Sequence, residues 1–189
     1  MEVVLDVKNR EKSFIQACVD RERWAQQKLY NDYYSKMMGV CLRYAKNTED
    51  AQDILHDGFI KIFRNIEKYK PGTSLTAWIH RIMVNTSIDF YRKAIRRRTD
   101  DIETAFHVAS WEVDAISRCS EDDILKAVQT LTPAYRAVFN LYVMEGYPHK
   151  EIANILGITE STSRSNLVKA RTRLKELLTP IYKEYAKKK

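Results

Sequence analysis

From Ser13 to about Arg98, apolar residues recur at three- and four-residue steps, broken at Asn47-Thr48 and at Lys70-Pro71-Gly72. That spacing predicts four helices, over roughly 12–21, 23–45, 49–68 and 75–96. Thr48 opens the third well, because Glu49 and Asp50 then fall in the first turn, where acids favour the helix dipole. Its apolar stripe takes Ala51, Ile54 or Leu55, Ile62 and Ile66. Thr73 or Ser74 can cap the fourth helix, which collects Leu75, Ile79, Ile82, Thr86 and Phe90 on one side. Periodicity then fails: between Asp100 and Asp123 eight acids face a single arginine, Arg118. It returns at Ile124 with Leu125, Val128 and Leu131, continues from Pro133 to Met144, and resumes from His149 to Leu178. The expected fold is all-α, with two small helical domains over 1–98 and 121–189 joined by a flexible acidic linker over 99–120.

Composition narrows this further. Five glycines and four prolines in 189 residues leave little material for turns and favour long helices over a sheet. The net charge of +7 points to an anionic partner, a balance that ribosomal and membrane-surface proteins share. Cys18, Cys41 and Cys119 are odd in number and far apart, so neither a disulfide framework nor a CxxC pair is present. His56, His80, His107 and His149 form no metal-binding spacing, so neither a metal nor any other cofactor is expected. The segment MEVVLDVKNREK lacks the apolar core of a signal peptide, and no run approaches the ~18 apolar residues of a membrane span. A cytoplasmic location without membrane insertion is the expectation.

The segment HKEIANILGITESTSRSNLVKARTRLKELL carries the most legible chemistry. A helix-turn-helix needs a small residue where its second helix crosses, and Ala153 stands there; it needs tolerance of positive φ in the turn, and Gly157 supplies it. Ile152, Leu156, Ile158 and Leu167 take the inter-helix core positions. From Glu160 to Leu178 the second helix runs for about 28 Å, with Leu167, Ala170, Leu174 and Leu177 as its buried stripe. Ser161, Thr162, Arg164, Ser165, Val168 and Lys169 point outward near the end that enters a major groove. Arginine pairs bidentately with guanine and hydroxyls reach base edges or phosphates, whereas Arg171 and Arg173, farther along, suit phosphates. A plain helical hairpin with a solvated basic face is the bland alternative. Ser163 departs from the pattern, since an aliphatic residue normally packs there. Its hydroxyl either bonds back to the helix backbone or leaves the packing looser.

Two faces of the first domain stand out. On the third helix Asp53, His56, Asp57 and Ile60 lie away from the apolar stripe, and Phe59 and Phe63 do not both fit inside. An acidic, partly apolar face on a basic protein suits a protein partner; a solvated acidic helix start explains it too. The fourth helix repeats Arg81, Asn85, Asp89, Arg92 and Arg96 at helical steps, interleaved with Trp78 and Tyr91, and ends in RKAIRRR. Cations that track phosphates beside rings that stack bases are the means of holding separated strands. The Lys70 to Ser74 loop could clasp an extruded base. A tryptophan such as Trp78 is more often a core residue than a stacking platform, and RKAIRRR taken alone is explained by a solvated basic tail.

Taken in succession, EDAQDILHDGFIKIF, TSLTAWIHRIMVNTSIDFYRKAIRRR and LTPAYRAVFNLYVMEGYPHKEIANILGITESTSRSNLVKARTRL resemble the extracytoplasmic-function group of bacterial sigma factors, over about 12–98 and 120–178. The resemblance implies a subunit that gives RNA polymerase its promoter specificity. It implies that Asp53, His56, Asp57, Phe59 and Phe63 grip the clamp helices of the polymerase largest subunit. It also implies that Lys70, Thr73, Ser74, Trp78, Arg81, Asn85, Asp89, Arg92, Lys93 and Arg96 hold and melt the -10 element. Ser161, Thr162, Arg164, Ser165, Lys169, Arg171 and Arg173 would read the -35 element as duplex. The acidic linker is either a phosphate mimic in a polymerase channel or a tether. An anti-sigma protein is a further partner known for many members.

Two other readings are weighed against this one. A helix-turn-helix regulator acting without core polymerase predicts a palindromic operator and a stable dimer. A decoy that only titrates an inhibitor has no need of the basic stripes at 81–98 and 161–173. No enzyme is expected, because no paired carboxylates, phosphate loop or nucleophile–base signature is present.

Overall fold

The computed structural model describes the backbone of residues 2–97 and 120–187 and the side chains of residues 9–96 and 120–181. The expected linker, 99–120, lies outside the described residues except for Ser120, as does Arg118. Helices account for most of the described residues, with no strand among them beyond an isolated bridge between Pro71 and Thr73. Packing divides the chain into two units, Met1–Cys41 with Thr48–Ser87, and Leu42–Asn47 with Ile88–Lys189.

The first unit holds α1 (Glu2–Val19), α2 (Arg23–Tyr44) up to Cys41, α3 (Thr48–Asn65) and α4 (Leu75–Arg97) up to Ser87, with a 3-10 turn at Ile66–Lys68; the ends of α2 and α4 belong to the second unit. α1 begins ten residues before the predicted start at 12, since Glu2 to Glu11 contains neither glycine nor proline to stop it. On α3 the buried set is Ala51, Ile54, Leu55, Gly58, Phe59 and Ile62, so Ile54 and Leu55 both face inward. The inward face of α4 is rotated from the expected one. Ile79, Met83, Val84, Thr86, Ser87 and Ile88 are buried, whereas Ile82 and Phe90 are only partly covered. The cause lies at Gly58. A Cβ there would meet Met83 Cε at 2.7 Å, with Sδ nearer still, so the missing side chain makes room for the thioether.

In the second unit, α5 (Glu121–Thr130) starts with a capping box between Ser120 and Asp123, and α6 (Pro133–Phe139) with Thr132 as N-cap and Pro133 in its first turn. The helix predicted over Pro133 to Met144 changes to a π-helical turn at Asn140–Met144. Three side chains of this region satisfy the last carbonyls of α2, which belong to the same unit. Gln129 donates to Leu42 O at 3.1 Å, Asn140 to Arg43 O at 2.6 Å and Arg136 to Tyr44 O at 3.2 Å. Arg136, only 4% exposed, also donates to the carbonyls of Gln129 and Leu131, which makes a buried guanidinium tolerable. α7 (His149–Leu156) and α8 (Glu160–Lys187) follow, with Gly157 between them at φ 69°, the left-handed conformation that the turn requires. Ile152 and Ala153 are buried at the crossing. On α8 the buried line is Leu167, Ala170, Leu174 and Leu178, not Leu177.

Candidate nucleic-acid and protein-binding faces

At 100° per residue, Trp78, Arg81, Asn85, Asp89, Arg92, Lys93 and Arg96 fall within about a third of the circumference of α4. Arg81, Asn85, Arg92, Lys93 and Arg96 are exposed, and Asp89 pairs with Arg92 at 3.6 Å. Arg92 Nε also donates to the Ile155 carbonyl at 3.1 Å, and its Nη2 reaches the same oxygen. Trp78 is half-buried. Its indole tilts against the Tyr69 ring, 5.7 Å between centroids, and also lines a groove of about 370 Å³. Lys61, Asn65, Lys68, Arg81, Ile82 and Asn85 complete that groove. Lys61, Asn65 and Lys68 were missed from sequence, although their i, i+4, i+7 spacing marks a polar stripe along one side of α3 and the turn after it.

The loop after α3 is internally tied. Gly72 has φ 91°, the Thr73 amide and hydroxyl both donate to Lys70 O (3.2 and 2.8 Å), and the Ser74 hydroxyl accepts from Ala77 N at 3.2 Å. Ser74 is thus the cap of α4, and both hydroxyls assigned to base capture also hold the loop's own shape. Lys70 is exposed beside them. Tyr69 is buried below, its hydroxyl pushed up to about 12 by burial and by its hydrogen bond with Glu11.

On α3, Asp53, His56 and Asp57 are exposed on one side together with Ile60, which is 48% exposed. Phe59 does not belong to that surface. It is 3% exposed and packs against Tyr30 at 4.6 Å, so it supports the face from beneath. Phe63 sits at the flank, where it lines a second groove with Arg23, Gln26, Gln27 and Tyr30 of α2. Those α2 residues carry no periodic signal that distinguishes them from a solvated helix side.

Thr159 caps α8: its hydroxyl accepts from Thr162 N at 3.0 Å. The outermost line of the helix is Ser161, Ser165, Val168 and Thr172, with Arg164 and Arg171 on one flank and Thr162, Lys169 and Arg173 on the other. Arg164 pairs with Glu160, and Arg173 with Glu176 at 2.9 Å. Lys169 lies over the Tyr135 ring and Arg171 over the Tyr142 ring, each 5.8 Å from the centroid. These two cations are therefore placed by aromatic neighbours that no local pattern announces. Ser163 is fully buried, and neither expected arrangement describes its hydroxyl, which meets His149 Nδ1 at 2.9 Å. The imidazole in turn stacks on Tyr142, centroids 4.5 Å apart. Burial lowers the His149 pKa, as do Arg164 and Arg171 nearby, against Glu160, which raises it. Among the described residues, no group of histidines, cysteines and carboxylates is arranged to hold a metal ion, and no helix is long and apolar enough to cross a membrane.

Two family models match the chain, in order: sigma-70 region 2 over residues 29–98 and sigma-70 region 4 over residues 121–174. The chain is 28% identical over 155 residues to the ECF RNA polymerase sigma factor SigE of Mycolicibacterium smegmatis, a match covering 79% of this chain and 60% of that protein. It is 27% identical over 162 residues to the ECF RNA polymerase sigma factor SigM of Mycobacterium tuberculosis, covering 86% and 81% respectively. The first of these matches therefore spans less than two thirds of the relative's length.

Proposed function

We propose that this chain, which belongs to the extracytoplasmic-function sigma factors of bacterial RNA polymerase, grips a promoter at two points while bound to core polymerase in the cytoplasm. The observation that carries the reading is the ordered pair of sigma regions, each presenting one exposed basic helix face, on α4 and on α8. Residues 1–98 form the polymerase-binding and -10 domain, 99–120 the linker and 121–189 the -35 domain.

The acidic face of Asp53, His56 and Asp57, with Ile60 and the flanking Phe63, docks on the clamp helices of the polymerase largest subunit. Carboxylates around an exposed isoleucine fit a basic, partly apolar partner, and they would repel DNA. The α4 face takes the separated -10 strand. Arg81, Arg92, Lys93 and Arg96 meet phosphates, Asn85 reads a base edge, and the loop from Lys70 to Ser74 holds an extruded base. Capture offsets the few kcal/mol that each unstacked step costs. On α8, Arg164 with Ser161, Thr162 and Ser165 reads the -35 duplex, while Lys169, Arg171 and Arg173 hold its backbone.

The protein catalyses no reaction itself; it supplies binding that differs between sequences and between closed and open DNA. Run-off transcription with core polymerase over a promoter library tests this. Transcripts from a shared pair of spaced elements, dependent on the protein, are expected. Tight binding of the protein alone to a palindrome, with no effect on polymerase, would establish the regulator reading instead.

A further inference from the structure

The loop between Tyr69 and Leu75 is held from outside itself by a side chain of α1. Glu11, on α1 and 61 residues away in sequence, accepts from the Gly72 amide through Oε2 at 2.9 Å. Its other oxygen, Oε1, lies 2.7 Å from the Tyr69 hydroxyl. That hydroxyl is also 2.6 Å from Thr73 O. One carboxyl group thus touches both the tip of the loop and the buried ring beneath it. The same ring packs on Trp78 of the strand-facing helix. Glu11 precedes residue 29, where the match to region 2 starts.

We propose that Glu11 is a positioning residue for base capture: it fixes the shape of the Lys70 to Ser74 loop through Gly72 and Tyr69. This rests on the reading of that loop as the base-capturing element. A carboxylate would ordinarily oppose a DNA strand, but both oxygens of Glu11 are engaged with the loop and its tyrosine. The proton count makes the idea specific. A tyrosine hydroxyl has one proton, and here two acceptor oxygens, Glu11 Oε1 and Thr73 O, lie within hydrogen-bond reach of it. A glutamine at position 11 resolves this. Its amide N–H donates to the tyrosine oxygen, the hydroxyl proton goes to Thr73 O, and its carbonyl accepts from Gly72. Glutamine should therefore hold the loop at least as well as glutamate, and alanine should not.

The test uses full-length protein with core polymerase on promoters carrying each base at each -10 position. Permanganate reactivity reports opening, and protein melting is followed in parallel. Gly72→Val serves as the reference for a misshapen loop, because valine resists a φ of 91°. Glu11→Ala is expected to reproduce the Gly72→Val defect. Opening should fall about tenfold or more, preference should flatten at one -10 position, and -35 selectivity should remain. Glu11→Gln is expected to retain both opening and preference. A defective Gly72→Val beside a Glu11→Ala protein with normal base preference, whatever its melting temperature, overturns the positioning role alone. So does a Glu11→Gln protein as impaired as Glu11→Ala. Normal preference in Gly72→Val overturns the base-capture reading and the positioning role with it.

Discussion

The division of labour along α8 makes a quantitative prediction. Arg164 and Arg173 are nine residues apart, which at 1.5 Å per residue puts them about 14 Å apart along the helix axis. A major groove is only about 12 Å wide, so when the N-terminal end of α8 lies in the groove, Arg173 is out at its edge, over phosphate. Each arginine begins in a surface ion pair, with Glu160 and Glu176 respectively, and giving that up costs at most about 1 kcal/mol. Arg164→Gln should therefore lose about 1–3 kcal/mol at one or two -35 positions and leave other positions unchanged. Arg173→Gln should weaken every sequence alike and make the plot of log affinity against log salt shallower by about 0.9. The assay is titration of polymerase bound to each variant against DNA with single base-pair changes, between roughly 50 and 200 mM salt. Taking differences between variants cancels the contribution of the polymerase. If both substitutions flatten the salt plot equally and leave base preference intact, the assignment of Arg164 to a base is refuted.

Asp53→Arg combined with Asp57→Arg should abolish association with core polymerase; both side chains are exposed, so melting should change by less than about 0.5 kcal/mol, and normal co-purification would sink the docking assignment. The lowered pKa of His149 means that, as pH falls below the ordinary value of 6.5, the unfolded chain takes up a proton before the folded one does. Its contribution to stability is thus complete above that pH and is lost as pH falls from there toward the folded value. Melting measured between about pH 8 and pH 5 should show this for the native chain and not for His149→Asn. Parallel profiles would refute it. Gly58→Ala gains about 1 kcal/mol of helix propensity but overpacks against the fully buried Met83 by about 1–3 kcal/mol. Net destabilisation of up to about 2 kcal/mol is expected in chemical denaturation, and the sign should reverse in a Met83→Ala background.

Local pattern was enough for whatever repeats along one element. The helical period gave the all-α class and the places of the elements to within a few residues, except for the start of α1, which lies ten residues earlier than its pattern suggests. The arc containing Arg81, Asn85, Arg92 and Arg96 is a property of one helix, as is the outward line beginning at Ser161, and both follow from 100° per residue. Ala153 and Gly157 announce their turn because each answers a local steric demand, close crossing in one case and positive φ in the other. The tertiary structure decided matters in which a residue's partner lies far away in sequence. A helical stripe has a tolerance of one neighbour, so Met83 rather than Ile82 faces inward because Gly58 leaves it space. Phe59 goes under the acidic face and Phe63 stays at its flank because Tyr30 offers a ring to one of them. Ser163 finds His149, and Glu11 finds Gly72. Hydrogen bonds across 14 and 61 residues leave no periodic trace, because only the packing of the helices brings those atoms within 3 Å.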